Sequence, residues 1–329
     1  MTDVSLISRF DALLADLDGV VYAGPNAIPG AIDALKQLSG LGIGLGYVTN
    51  NASRSPGEVA AHLRELGAPA DDDQVVSSSQ AAADLLASLL APGSKILITG
   101  SPALAREIEL AGLVPVDSQD GEPVAVVQGF NPAIGWKELA EATYVVNGGA
   151  LWVATNTDMT IPQARGIAPG NGTLVAAVAA ATGQQPRVAG KPEAPLFHSA
   201  AKRLGAERPL VVGDRLDTDI LGGNNAGFAT VAVLTGVDTR ETILAARAAE
   251  RPTYIIENLG DLHRPYPEVT HDDGTYACGN ASARVANGAV GVIGNQADIN
   301  AWRAACAAWW AQTPEAAAPQ APKLVWLDH

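Results

Sequence analysis

Residues 12–21 read ALLADLDGVV. Ala12 to Asp16 form a short apolar run that stops at a carboxylate, and a second carboxylate, Asp18, follows two positions later. Alternation along a strand would turn both acids to one face. At a strand end, however, the chain turns, and Gly19 permits the turn. Two carboxylates this close repel unless a cation or unequal protonation separates them. The pairing suits one Asp as nucleophile or metal ligand and the other as acid and base. A bare Asp-x-Asp is most often an acidic turn. Placement after the first apolar strand, with Gly and two apolar residues behind it, raises this one above that reading.

Outward from here, strand-like and helix-like segments alternate. Pro29–Ser39 has helical spacing, with Ile32, Leu35 and Leu38 on one face. Ile43–Val48 reads as a strand ending in Thr49-Asn50-Asn51. Ser55-Pro56-Gly57-Glu58 carries a cap residue, a first-turn Pro and a Glu three after the cap, the pattern of a capping box. That helix is expected to end at Leu66-Gly67. Further strands are expected at Val75–Ser78, Ile96–Thr99, Val124–Gln128, Leu151–Thr155, Leu210–Val212, Thr230–Leu234 and Tyr254–Ile256. This order reads as α/β with a mainly parallel sheet. Such sheets bind ligands at the carboxyl ends of their strands, so polar residues that end apolar strands are the ones to inspect.

Three further clusters meet that criterion. Thr49-Asn50-Asn51 offers a hydroxyl and amides to an oxyanion, although an ordinary turn into the capped helix uses the same residues. Gly190-Lys191-Pro192 follows an apolar segment; position 185 is Gln and Pro192 follows the Lys, so it is not a Walker A loop. A Lys there can reach a phosphate as a point charge, while the ordinary fate of a lone Lys is a solvated surface. Gly213-Asp214-Arg215-Leu216-Asp217-Thr218-Asp219-Ile220 is the richest cluster, with oxygen ligands that suit Mg2+. Acids in the first turn of a helix would look the same. Pro169–Thr173 reads as a plain helix start. His62, His198, His263, His271 and His329 show no metal-binding spacing.

At 329 residues the chain is long enough for about two domains. With 47% hydrophobic and 17% charged residues it has material for a real core. A net charge of −14 argues against nucleic acid or anionic membrane as a partner, since both need a basic patch. It does not forbid a small anionic substrate, because a bound cation reverses the local field. The two cysteines, Cys278 and Cys306, form no framework or zinc motif. The N-terminus has no signal-peptide order, and no apolar run reaches the ~18–20 residues of a membrane span, so a soluble, cytoplasmic protein is expected. Breaks in the pattern fall near Ser79–Gln80, Gly183–Val188 and Asp261–Pro267. Beyond the last lie Ala281–Val285, a helix expected over Asp298–Ala311, and an Ala/Pro-rich stretch, Pro314–Pro322, expected to be a loose linker.

Taken together, DLDGVV, TNN, GKP and GDRLDTDI, in that order and each beside an expected strand, resemble the haloacid dehalogenase (HAD) superfamily of aspartate-nucleophile phosphatases. The long insert between TNN and GKP resembles the subgroup with a type C2 cap, the NagD-like or 4-nitrophenylphosphatase-like group. YAGPNAIPGA, VTNNASRSP, APGNGTLVAAVAAATG, GKPEAPLF and GDRLDTDILGGNNAG look like the same subgroup, and the resemblance covers about residues 10–262.

The resemblance implies a doubly wound, Rossmann-like α/β core over 1–79 and 188–262, an inserted α/β C2 cap over 80–187, and a small α+β appendage over 268–329. It implies that Asp16 attacks phosphorus, that Asp18 protonates the leaving alkoxide and then activates water, and that Thr49 and Asn50 bind phosphoryl oxygens. Lys191 would neutralise charge between nucleophile and phosphate. Mg2+ would be held by Asp16, the Asp18 backbone carbonyl and Asp214, with Asp219 as a supporting acid. Substrate choice would reside in the cap loop Thr155–Pro169, with Asn156, Asp158 and Arg165 as candidates. That loop has no aromatic clamp, so a small polar leaving group fits better than pyridoxal. The expected substrate is a small phosphorylated metabolite, glycerol 3-phosphate first; phosphoglycolate or another sugar or alcohol phosphate is the alternative. A homodimer through the cap is a further expectation. The appendage resembles an acetyltransferase fragment without a complete acetyl-CoA loop, so acyl transfer is not expected of it. A different class, the non-enzymatic phospho-acceptor module, also uses acids, a Thr and a Lys on such a sheet. Asp18 separates the two, because it speeds dephosphorylation by acid–base action.

Overall fold

The computed structural model describes residues 4–163 and 165–327; residues 1–3, 164 and 328–329, among them His329, lie outside the described residues. The chain forms two compact units. One comprises Met1–Leu45, Leu66–Pro69 and Ala206–His329, the other Gly46–Glu65 and Ala70–Gly205.

In the first unit, Tyr254–Ile256, Ala229–Val233, Pro209–Gly213 and Ala12–Ala15 run parallel in that order. Ala12 to Ala15 are all buried, which explains why the strand reads as continuous apolar sequence. The helix Ala31–Gly40 buries Ala31, Ala34, Leu35 and Leu38. Ile32, expected on the same face, lies at its margin and is only partly buried.

The C-terminal residues belong to this unit. Thr270–Asp272, Thr275–Cys278, Ala281–Ala286 and Ala289–Ile293 form an antiparallel meander, and Lys323–Leu327 joins its end in parallel. The helix Ile299–Gln312 makes the crossover that a parallel pair requires. Its Trp302, Ala305 and Cys306 share one apolar cluster with Leu216, Ile220, Ile243 and Ile255. The stretch expected to be a loose linker is docked instead. Ala316 is buried, its carbonyl accepts the Ala248 N–H at 2.8 Å, and Gln320 donates its N–H to the Ala245 carbonyl at 2.8 Å. The return of the chain to a parallel strand holds this segment against the core, a constraint that composition does not reveal.

In the second unit, Tyr47 to Thr49, the end of the strand Gly44–Thr49, pair in parallel with Val75–Ser77, with Thr49 opposite Ser77. Between them lies the helix Pro56–Glu65, opened by the expected capping box. Ser55 donates its N–H to Glu58 Oε2 at 2.7 Å, and Glu58 donates its N–H to Ser55 Oγ at 3.3 Å. A five-stranded parallel sheet follows in the order Arg187–Val188, Leu151–Ala154, Ala125–Gln128, Lys95–Thr99, Val114–Val116. The helices Trp136–Asn147 and Asn171–Thr182 cover it through Ala142, Val145, Val146, Val175 and Val178. A short hairpin, Thr160–Gln163 with Gly166–Pro169, lies in the loop expected to select substrate. Ser78–Leu89 is one helix that runs through the expected break at 79–80, with Ser77 as its cap. Among the described residues, no helix is long and apolar enough to cross a membrane.

Candidate active site

The acidic residues of the first unit converge. Asp16 follows the strand Ala12–Ala15, Asp214 follows Pro209–Gly213, and the two strands are neighbours in parallel register. Their carboxyl ends therefore lie side by side. One carboxylate oxygen from each of Asp16, Asp214 and Asp219 lies within 4.8 Å of the others. Asp214 is 4% and Asp219 1% exposed.

Asp219 reaches the cluster because Leu216–Ile220 is one turn of π-helix, in which Ile220 donates its N–H to the Arg215 carbonyl at 3.1 Å. Asp217, two residues earlier, is turned outward onto Arg215, with Nε–Oδ1 and Nη2–Oδ2 distances of 3.0 and 2.8 Å. That hydrogen bond holds its carboxyl below the usual range.

Backbone groups and glycines fix the acids. Asp214 Oδ2 accepts the Val237 N–H at 2.8 Å, and Asp219 Oδ2 accepts the Arg215 N–H at 3.2 Å. A Cβ on Gly19 or Gly236 would strike Asp214, and one on Gly213 would strike Asp219. Gly19 has φ +78°, as the turn expected there requires. Thr235 Oγ1 donates to the Gly19 carbonyl at 2.7 Å, tying that turn to the strand end after Ala229–Val233. The sequence reading overlooked Thr235 and Gly236. The signal was present, a hydroxyl residue and a glycine just past an apolar strand. Asp18 stands in the same turn and is exposed.

This donor set fits Mg2+. It offers oxygen only, from three closely spaced carboxylates, two of them almost fully buried. A positive charge relieves the repulsion of like charges at this distance, and hard divalent cations take such ligands.

In the second unit, Thr49 ends its strand with its hydroxyl accepting the Asn51 N–H at 3.1 Å. Asn51 Oδ1 accepts the Ser53 N–H at 2.9 Å, so Asn51 serves the turn. Lys191 is buried, at 4% exposed, and is not the solvated surface Lys of the ordinary reading. Asn50 meets it directly: Asn50 Oδ1 accepts the Lys191 N–H at 2.7 Å and Nδ2 donates to the Lys191 carbonyl at 3.1 Å. The same Nδ2 lies 3.2 and 3.3 Å from the Asp158 carboxylate oxygens. Asn156 Nδ2 donates to the Asn50 carbonyl at 2.8 Å. Of the three cap-loop candidates, Asn156 and Asp158 thus join Asn50 and Lys191, while Arg165 is exposed.

Residues 13–114 match the haloacid dehalogenase-like hydrolase family, and residues 188–262 match the HAD-hydrolase-like family. The chain is 50% identical over 260 residues to D-glycerol 3-phosphate phosphatase of Mycobacterium tuberculosis, covering 79% of this chain and 73% of that one. The solved structure of a glycerol phosphate phosphatase from the same organism, in complex with magnesium, superposes with a TM-score of 0.87 at 44% identity. It covers 99% of this chain and 96% of that one, so the C-terminal sheet has its counterpart there. The p-nitrophenyl phosphatase of Archaeoglobus fulgidus superposes with a TM-score of 0.70 at 32% identity, over 77% of this chain and 98% of its own. By these similarities the chain belongs to the haloacid dehalogenase-like hydrolases.

Proposed function

We propose that this hydrolase is a Mg2+-dependent phosphomonoesterase that cleaves glycerol 3-phosphate through an aspartyl phosphate. The observation that carries the reading is the close grouping of Asp16 with Asp214 and Asp219 at the ends of adjacent strands. The 50% identity to a D-glycerol 3-phosphate phosphatase supports the choice of substrate.

In this reading an Asp16 carboxylate oxygen attacks phosphorus, and the bond from phosphorus to the glycerol oxygen breaks. Asp18, exposed in the Gly19 turn, gives its proton to the departing alkoxide. It then takes a proton from the water that attacks the aspartyl phosphate, releasing inorganic phosphate and restoring Asp16. Thr49 and Asn50 bind the phosphoryl oxygens, and Lys191 offsets their charge. Asp16, the Asp18 carbonyl and Asp214 would hold the metal, with Asp219 in support. Bound there, Mg2+ supplies positive charge against the gathered carboxylates and the phosphoryl group.

The same proposal divides the chain into a catalytic core over 1–79 and 188–262, a cap over 80–187 and an appendage from 268 onward. It places the protein in the cytoplasm and pairs two copies through their caps. Trp136, 79% exposed at the start of the helix Trp136–Asn147, is the large apolar side chain that such a pairing would cover.

The test is phosphate release from glycerol 3-phosphate, phosphoglycolate, pyridoxal phosphate and 4-nitrophenyl phosphate, with Mg2+ and with EDTA. Mg2+-dependent release led by glycerol 3-phosphate, abolished in Asp16→Asn, is expected. Full turnover by Asp16→Asn would sink the mechanism. A stable phospho-Asp16 without turnover would identify a phospho-acceptor module instead.

A further inference from the structure

We infer that Asp158 is a positioning residue that sets Lys191 through Asn50, and is not a contact for the leaving group. The inference rests on the phosphatase reading for what Lys191 does, but its geometry lies within one compact unit. Asn50 closes on the Lys191 backbone from both ends of its amide, through Oδ1 to the N–H at 2.7 Å and through Nδ2 to the carbonyl at 3.1 Å. An amide that used only these two bonds could still tilt. The Asp158 carboxylate, at 3.2 and 3.3 Å, receives the Asn50 Nδ2 group as well. Hydrogen bonds to an ionised acceptor are the stronger kind, so Asp158 holds the amide in one orientation.

Asp158 is itself tied into its loop. Its N–H donates to Asn156 Oδ1 at 3.3 Å, and Asn171 Nδ2 donates to the Asn156 carbonyl at 2.7 Å. A Cβ on Gly170 would strike the Asp158 carbonyl, and one on Gly172 the Thr157 carbonyl, so the start of the helix Asn171–Thr182 is wedged against this loop. On the Lys191 side, a Cβ on Gly190 would come 2.5 Å from both Asn50 Oδ1 and the Thr155 carbonyl. The brace thus runs from the loop read as substrate-selecting to the backbone of the buried Lys191. It makes the placement of that ammonium depend on the loop's position.

A double-mutant cycle with Asp158→Ala and Asn50→Ala tests this, read in two ways. The first is turnover of glycerol 3-phosphate and 4-nitrophenyl phosphate by the full chain with Mg2+. Asp158→Ala is expected to lower kcat by about tenfold or more on both, by the same factor, as the loss of a catalytic group's placement does. In the Asn50→Ala background it should cost nothing further. The second is acetylation of Lys191 by acetic anhydride, followed by mass spectrometry against Lys95 and Lys137 as internal standards. Asp158→Ala should speed Lys191 labelling severalfold while the standards stay constant. Asp158→Asn, which keeps an acceptor oxygen for Asn50 but loses the charge, should recover part of both readouts. Losses that multiply in the double variant would overturn the inference. So would a loss confined to glycerol 3-phosphate, unchanged Lys191 labelling, or an Asp158→Asn variant as impaired as Asp158→Ala. A wild-type chain that releases no phosphate but shows the labelling response would defeat the phosphatase reading and leave the brace standing.

Discussion

Arg303 caps Ile255: the Ile255 carbonyl accepts from Nε at 3.1 Å and from Nη2 at 2.6 Å. Ile255 lies in the last strand of the parallel run, where one set of backbone groups has no neighbouring strand. Its N–H is met by the Tyr266 hydroxyl at 3.1 Å, and the Arg303 guanidinium stacks 4.2 Å from the centre of the Tyr266 ring. The C-terminal helix thereby closes an open sheet edge with side chains.

Arg303→Met should lower the unfolding free energy by about 2–3 kcal/mol, since it removes a charged donor and leaves a buried carbonyl unmet. Urea denaturation measures this. A change below about 0.5 kcal/mol, the size of an ordinary surface substitution, would show that the helix is held by its apolar face alone.

Gly19→Ala should weaken Mg2+ binding by about 10–100-fold, as loss of support around a ligand does. The residue has φ +78°, and its Cβ would enter the Asp214 carboxylate. Mg2+ titration of phosphate release reads the effect. An unchanged half-saturation point would mean that Asp214 is free to move aside.

Metal removal should be visible without turnover. A cation that binds only the folded chain stabilises it by about 2.7 kcal/mol at one hundred times its dissociation constant. Mg2+ should therefore raise the Tm, EDTA should reverse the rise, and Asp214→Asn should abolish it. Equal Mg2+ shifts in wild type and Asp214→Asn would place the cation elsewhere.

Glu107 is half-buried on the helix Pro102–Leu110, and desolvation raises its pKa despite Arg203 nearby. The folded state therefore favours the protonated form. That preference costs stability at neutral pH and is fully relieved below the ordinary Glu range. Glu107→Gln should raise the denaturation midpoint at pH 7, with the gain fading as pH falls through the raised pKa toward the unfolded value. A gain that grows on acidification would refute the assignment.

Several elements were legible because one local cause produced them. Tyr254–Ile256 is the strand that its apolar run implied, and the Ser55–Glu58 box opens its helix because both partners lie within one turn. The meander strands Thr270–Asp272 and Thr275–Cys278 were missed. Their sequence, THDDGTYAC, is short and polar, and Thr270 to Asp272 are all exposed, so no hydrophobic alternation marks them. Lys323–Leu327 was missed for a different reason: it is a strand because Ala289–Ile293 offers it an edge.

By itself the sequence determined the order of the chemistry: apolar strands ending in Asp16, Thr49 and Asp214, a Lys beside Gly190, and glycines where the chain must turn. Those features follow from side-chain type and short spacing, which local physics reads directly. Only the tertiary structure decided which acids meet. Asp219 joins Asp16 and Asp214 while Asp217, two residues away, goes to Arg215, because a single π turn and the strand register set their directions. It also joined Asn50, Asp158 and Lys191, which are separated by 108 and 141 residues from Asn50 along the chain. No local pattern encodes such a meeting, since it exists only once the strands and helices between them have packed.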